Sequence, residues 1–111
     1  MENGAITDAQ ISASSVWSST HAASQGRLNY QANSSHSGSW SARTNDANQW
    51  LQVDLMSPHV TVTRVATQGR NGRYRQWVET YKLQYSNTAT TFRYYREPGN
   101  PQDKVDRKSV V

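Results

Sequence analysis

Apolar and polar positions alternate along this chain in short runs, and nowhere do they recur at the spacing of an amphipathic helix. Residues 49–55 (Gln-Trp-Leu-Gln-Val-Asp-Leu) set Leu51, Val53 and Leu55 on one side of a pleat. Trp50, Gln52 and Asp54 fall on the other side, so an indole there implies cover on both faces. Residues 60–68 (Val-Thr-Val-Thr-Arg-Val-Ala-Thr-Gln) alternate more cleanly and are rich in β-branched side chains, which favour a pleated surface. Residues 80–86 put Tyr81, Leu83 and Tyr85 on one face against Lys82 and Gln84. Shorter strands are expected over residues 92–95 and 10–13.

Turn residues punctuate these runs: Ser57-Pro58, the segment 69–72, and a hairpin over 87–90. Residues 14–39 form a long polar stretch rich in Ser and Asn, and a loop of that length in a compact domain is either functional or a sign that the element assignment is wrong. Pro98 to Pro101 close the pattern, and residues 105–111 carry no pairing signal. Short strands separated by polar loops predict an all-β sandwich or barrel.

Composition narrows this further. In 111 residues there is room for one domain, yet Ile, Leu, Val and Phe together number only 16, so the core is thin and stability marginal. Four Trp, six Tyr and a net charge of only +4 argue against disorder. Trp40, Trp50 and Trp77 lie in or beside strand patterns and are expected in the core. Cysteine is absent, which excludes disulfides and thiolate metal sites within these residues. No run of about 20 apolar residues is available to cross a bilayer, and residues 1–8 lack the basic-then-apolar pattern of a signal peptide.

The charge is unevenly placed. No acid occurs between Asp54 and Glu79, whereas Arg64, Arg70, Arg73 and Arg75 all fall there. Such a local excess attracts phosphate, sulfate or acidic headgroups, the alternative being a solvated basic loop with no partner.

In order, Met1-Glu2-Asn3-Gly4 with Gln10-Ile11-Ser12-Ala13-Ser14-Ser15, then Arg27-Leu28-Asn29, then Trp50-Leu51-Gln52-Val53-Asp54-Leu55, then Val65-Ala66-Thr67-Gln68-Gly69-Arg70, and finally Trp77-Val78 and Tyr81-Lys82-Leu83 mark the chain. In that series it resembles the coagulation factor V/VIII type C (discoidin) family. The resemblance runs to about residue 104 and implies a jelly-roll β-sandwich of the galactose-binding-domain-like kind, missing its last strands. Residues 1–104 are thus read as a partial discoidin domain and 105–111 as an off-pattern tail. Departures are the absent terminal cysteines, Met56 where a glycine is usual, and Thr88-Ala89 in place of an Asp-Gly hairpin.

The resemblance further implies a ligand-binding module of an extracellular or cell-surface protein, with three loops at one end forming a rim: residues 16–21, about 31–39, and 70–76. Val16, Trp17, His21, His36, Arg70, Asn71, Arg73, Tyr74 and Arg75 are the expected ligand-binding residues. Trp17 has only Val16 as an apolar neighbour, and an exposed indole can enter a membrane interface or stack on a sugar. Arginine forks around Tyr74 suit phosphate or carboxylate. The implied partners are anionic phospholipid or galactose-type glycan, with protein ligands as the alternative; Arg27 and Arg64 are read as framework.

Other chemistries find less support. His21, His36 and His59 lack metal-ligand spacing, and Asp46 is the lone acid near the middle loops for a calcium ion, so no metal or cofactor is expected. No Gly-x-Ser-x-Gly motif or carboxylate pair supports catalysis. The basic residues cluster on one loop rather than across a sheet, which disfavours nucleic acid. Asn33-Ser34-Ser35 is the one glycosylation sequon.

Overall fold

A computed structural model of the chain describes residues 5–57, 60–70, 74, 76–88, 90–96, 98, 99, 102 and 105–107. These fall into two compact units, Met1–Gln76 and Trp77–Val111. Among the described residues, regular structure consists of six short strands and three 3-10 turns.

In the first unit, β1 (Ile11–Ala13) pairs antiparallel with β2 (Leu51–Val53), Ile11 opposite Val53 and Ala13 opposite Leu51. Residues directly opposite share a face, so the ladder is apolar on one side and carries Ser12 and Gln52 on the other. Polar flanks extend it. Asp54 N–H donates to Gln10 O at 2.8 Å and Ser14 N–H to Trp50 O at 2.9 Å. Gln10 Nε2 donates to Asp54 O at 2.7 Å, and Trp50 N–H donates to Ser14 Oγ at 2.9 Å. The apolar face meets the 3-10 turn Ala23–Gln25 and the residue after it, Gly26, where an added Cβ would stand 3.2 Å from Leu51 Cδ2 and 3.4 Å from Trp40 Cβ. Ile11, 6% exposed, is the buried apolar side chain at this contact.

In the second unit, β3 (Thr80–Lys82) pairs antiparallel with β6 (Val105–Arg107), and β4 (Gln84–Tyr85) with β5 (Arg93–Tyr94). Tyr95 N–H donates to Leu83 O at 2.8 Å, which prolongs the second ladder. Lys82 Nζ lies 5.3 Å from the Tyr94 ring centre. In the turn between β4 and β5, hydroxyls take the place of a left-handed Asp-Gly pair: Ser86 Oγ accepts from Thr88 N–H at 3.1 Å, and Thr88 Oγ1 from Thr91 N–H at 3.3 Å.

Three expectations are corrected. The cleanly alternating residues 60–68 join no ladder, and Val60, Val62 and Val65 are about half exposed. Alternation specifies which face a strand would bury but supplies no partner, and among the described residues none pairs with it. Trp50 and Trp77 are 50% and 40% exposed rather than core, each standing just outside a strand, before β2 and before β3 respectively. Conversely, Val105–Arg107 forms β6 despite having no pairing pattern, since ladder hydrogen bonds use backbone groups that every non-proline residue carries.

Candidate functional site

In the first unit, residues from all three expected loops line one cleft of about 400 Å³: Thr20 and His21, residues 32–37, and Arg70 with Tyr74. Its wall combines the hydroxyls of Thr20, Ser34, Ser35 and Ser37 and the Asn33 amide with two imidazoles, one guanidinium and one phenol ring.

Local hydrogen bonds place each loop. Trp17 N–H donates to Ser41 O at 2.8 Å and Ser41 N–H to His21 O at 3.3 Å, stapling the first loop to the segment after Trp40. Trp40 Nε1 donates to Ser15 O at 2.9 Å. The 3-10 turn Ser19–His21 then presents its residues to the cleft. First and second loops are joined by Ser37 N–H donating to Thr20 O at 2.8 Å. Gln25, only 3% exposed, reinforces this join: its amide nitrogen donates to Thr20 O and, at 3.0 Å, to Ser37 O. A buried amide that satisfies two loop carbonyls holds those loops in one geometry.

The second loop turns on Asn33, whose Oδ1 accepts from Ser35 N–H at 2.8 Å and His36 N–H at 2.9 Å, while its own N–H donates to His36 O at 2.9 Å. The third loop is closed by Arg70 N–H donating to Gln76 O at 2.8 Å and Arg70 Nη1 to Gln76 Oε1 at 2.6 Å. It is anchored by a two-way clasp: Asn29 N–H donates to Gln68 Oε1 at 2.6 Å, and Gln68 Nε2 donates to Asn29 Oδ1 at 3.0 Å. Asn29 sits at φ +58°, where a short amide side chain is tolerated. Arg27, expected as framework, is nearly buried at 10% side-chain exposure and bridges to Asp8 at 2.6 Å.

Two cleft side chains carry its electrostatics. The Arg70 guanidinium lies 4.9 Å from the centre of the Tyr74 ring, a cation–π contact that orients both groups. His21 Nδ1 lies 3.0 Å from Ser18 Oγ and 2.9 Å from Thr20 Oγ1, which leaves Nε2 without a partner among the described residues. Partial burial, and then the charge of Arg70, hold the His21 ring below its ordinary pKa. The imidazole is therefore neutral at pH 7, and an anion beside Arg70 opposes the second of those effects.

Of the expected binding residues, the cleft brings together His21, His36, Arg70 and Tyr74. Val16 and Trp17 belong to the same first loop but do not line the cleft; they are 38% and 66% exposed. Asn71, Arg73 and Arg75 lie outside the described residues. Sequence reasoning missed Gln25, one Gln in a polar stretch, and it missed the Asn29–Gln68 clasp. The clasp had a signal, because both residues lie inside the Arg-Leu-Asn and Thr-Gln-Gly-Arg motifs.

No group of three or more His, Asp or Glu able to hold a metal occurs among the described residues. Asp46 instead accepts from Asn48 N–H at 2.9 Å and Gln49 Nε2 at 3.0 Å. The bond from Gln49 and then that from Asn48 hold its carboxyl below the usual carboxylate range. No helix among the described residues is long and apolar enough to cross a membrane.

The family model of the F5/8 type C domain matches residues 10–111. The chain belongs to this family. The F5/8 type C match spans the ladder strands, all three cleft loops and β6, and membership carries the all-β, galactose-binding-like fold with it. Relatives include coagulation factor V of Mus musculus, 36% identical over 110 residues that cover 95% of this chain and 5% of that protein. Lactadherin of Bos taurus is 32% identical over 109 residues, covering 95% of this chain and 25% of that protein. EGF-like repeat and discoidin I-like domain-containing protein 3 of Homo sapiens is 37% identical over 112 residues, covering 95% and 22%. The chain thus spans a quarter or less of the length of these relatives.

Proposed function

We propose that this F5/8 type C domain is a non-enzymatic binding module of an extracellular or cell-surface protein, and that its cleft takes the headgroup of an anionic phospholipid. One observation carries this reading. Three loops meet at a cleft that holds an oriented arginine, a tyrosine face and a neutral histidine, and the described lining includes no acidic residue to repel an anion. The loop that supplies Thr20 and His21 also carries Trp17, whose 66% exposure suits insertion at a membrane interface. Each arginine near an anionic surface contributes about 1 kcal/mol, so a single module binds modestly and gains from repetition. The ladders are read as parts of a jelly-roll sandwich that holds the loops as a rim.

A galactose-type glycan is the second reading, favoured by the hydroxyl-rich wall and the half-exposed Tyr74 ring, on which a sugar can stack. Protein ligands are the alternative partner class. Sedimentation with phosphatidylcholine vesicles, with and without phosphatidylserine, at low and high salt, run beside a glycan array, separates these. Serine-lipid-dependent binding that weakens with salt is the expected result. Array binding to galactose-terminated glycans without vesicle binding favours the second reading, and binding to neither overturns both.

A further inference from the structure

The sequon residues form part of the cleft wall, and their geometry also suits a chemistry that headgroup binding does not require. Residues 31–36 are all exposed, and Asn33, Ser34 and Ser35 line the cleft. Asn33 Oδ1 is occupied by the N–H groups of Ser35 and His36, which fixes the side chain in a turn. The Asn33 amide nitrogen, the nucleophile of glycosyl transfer, makes no hydrogen bond among the described residues. The Ser35 hydroxyl, the third-position group that the sequon requires, is likewise without a partner among them.

We propose that Asn33 is an N-glycosylation acceptor, and that its glycan covers the cleft. The donor is a lipid-pyrophosphate-linked oligosaccharide. Asn33 Nδ2 forms a bond to the anomeric carbon as the carbon–oxygen bond to pyrophosphate breaks. The lipid pyrophosphate leaves with that electron pair, and the amide loses one proton. A bulky sugar fixed at Asn33 stands over the wall that also includes His36 and Arg70. The unmodified chain is then an open binder and the glycosylated chain a covered one. The covering half of this proposal rests on the binding reading above; the modification half does not.

The test uses the full chain behind a cleavable signal peptide, secreted from mammalian cells, with the same chain made in the bacterial cytosol as the unmodified form. The secreted chain is expected to show one glycosidase-sensitive mass increase. Ser35→Ala abolishes it while keeping both backbone donors to Asn33, Asn33→Gln abolishes it independently, and Ser35→Thr keeps or raises it. A secreted chain without the increase, or one that keeps it in Ser35→Ala, overturns the acceptor assignment. Binding to phosphatidylserine vesicles is expected to be at least about tenfold weaker for the glycosylated form than for the bacterial form. Equal binding by the two forms overturns the covering role. If the bacterial chain itself fails to bind, the headgroup reading falls while the mass shift still decides the modification.

Discussion

Met56 is a residue whose backbone conflicts with its side chain. It sits at φ +62°, in the left-handed region, with its N–H donated to Asp54 Oδ1 at 2.8 Å and its side chain 75% exposed. A Cβ at that angle costs on the order of 1–2 kcal/mol that glycine avoids, and little packing is forfeited by removing the side chain. Met56→Gly is therefore expected to raise stability by about 1 kcal/mol, read as a higher urea midpoint with an unchanged slope. A lower midpoint would show that the methionine side chain is needed. His21 gives a pH-dependent outcome at the same scale. Its pKa is depressed in the folded chain, so the unfolded chain takes up the proton first; stability falls as pH drops from the ordinary histidine value through the depressed one. A bound anion favours the protonated ring, so vesicle binding strengthens over that same fall in pH. In a His36→Gln background, which removes the other cleft histidine, His21→Gln is expected to flatten that pH profile.

Between elements, the buried Gln25 amide decides whether the first and second loops hold together. Gln25→Leu keeps the volume but leaves the Ser37 carbonyl without this donor, at a cost of about 1–3 kcal/mol. The expected signature is a loss of vesicle binding larger than the loss of β1–β2 structure followed by circular dichroism. Equal losses would mean that Gln25 only supports the ladder. How far such elements are legible in sequence depends on what local pattern can encode. Alternation at residues 49–55 and 80–86 marks where strands lie, and β2, β3 and β4 form within those windows, although Leu51, Leu55 and Tyr85 on the expected inner faces remain 37%, 36% and 56% exposed. At residues 60–68 it marks a face without a partner, because pairing is non-local. The loop cluster was readable in outline, since His21, His36, Arg70 and Tyr74 do meet. Its struts were not, because Gln25, Ser37 and Asn33 stand among many polar residues and only folding selects them.

For the whole molecule, apolar burial is small. Ile11 is the buried hydrophobic residue among those described, whereas Val62, Val78, Tyr85 and Tyr94 are each near half exposed. Burial at about 25 cal/mol per Å² is the main favourable term in folding, so the chain is expected to unfold at low urea. A free energy near or below about 5 kcal/mol, the lower edge of the usual range, is expected; a high-midpoint cooperative transition would contradict it. A weak single cleft gains from avidity wherever several copies of such a module engage one surface. The most direct test of the central claim is residue-resolved NMR of the bacterial chain titrated with soluble short-chain phosphatidylserine. Shifts are expected to concentrate at Thr20, His21, residues 33–37 and Arg70. Shifts confined to the β4–β5 turn, where Tyr85, Thr88 and Arg93 line a separate cleft of about 350 Å³, would contradict it.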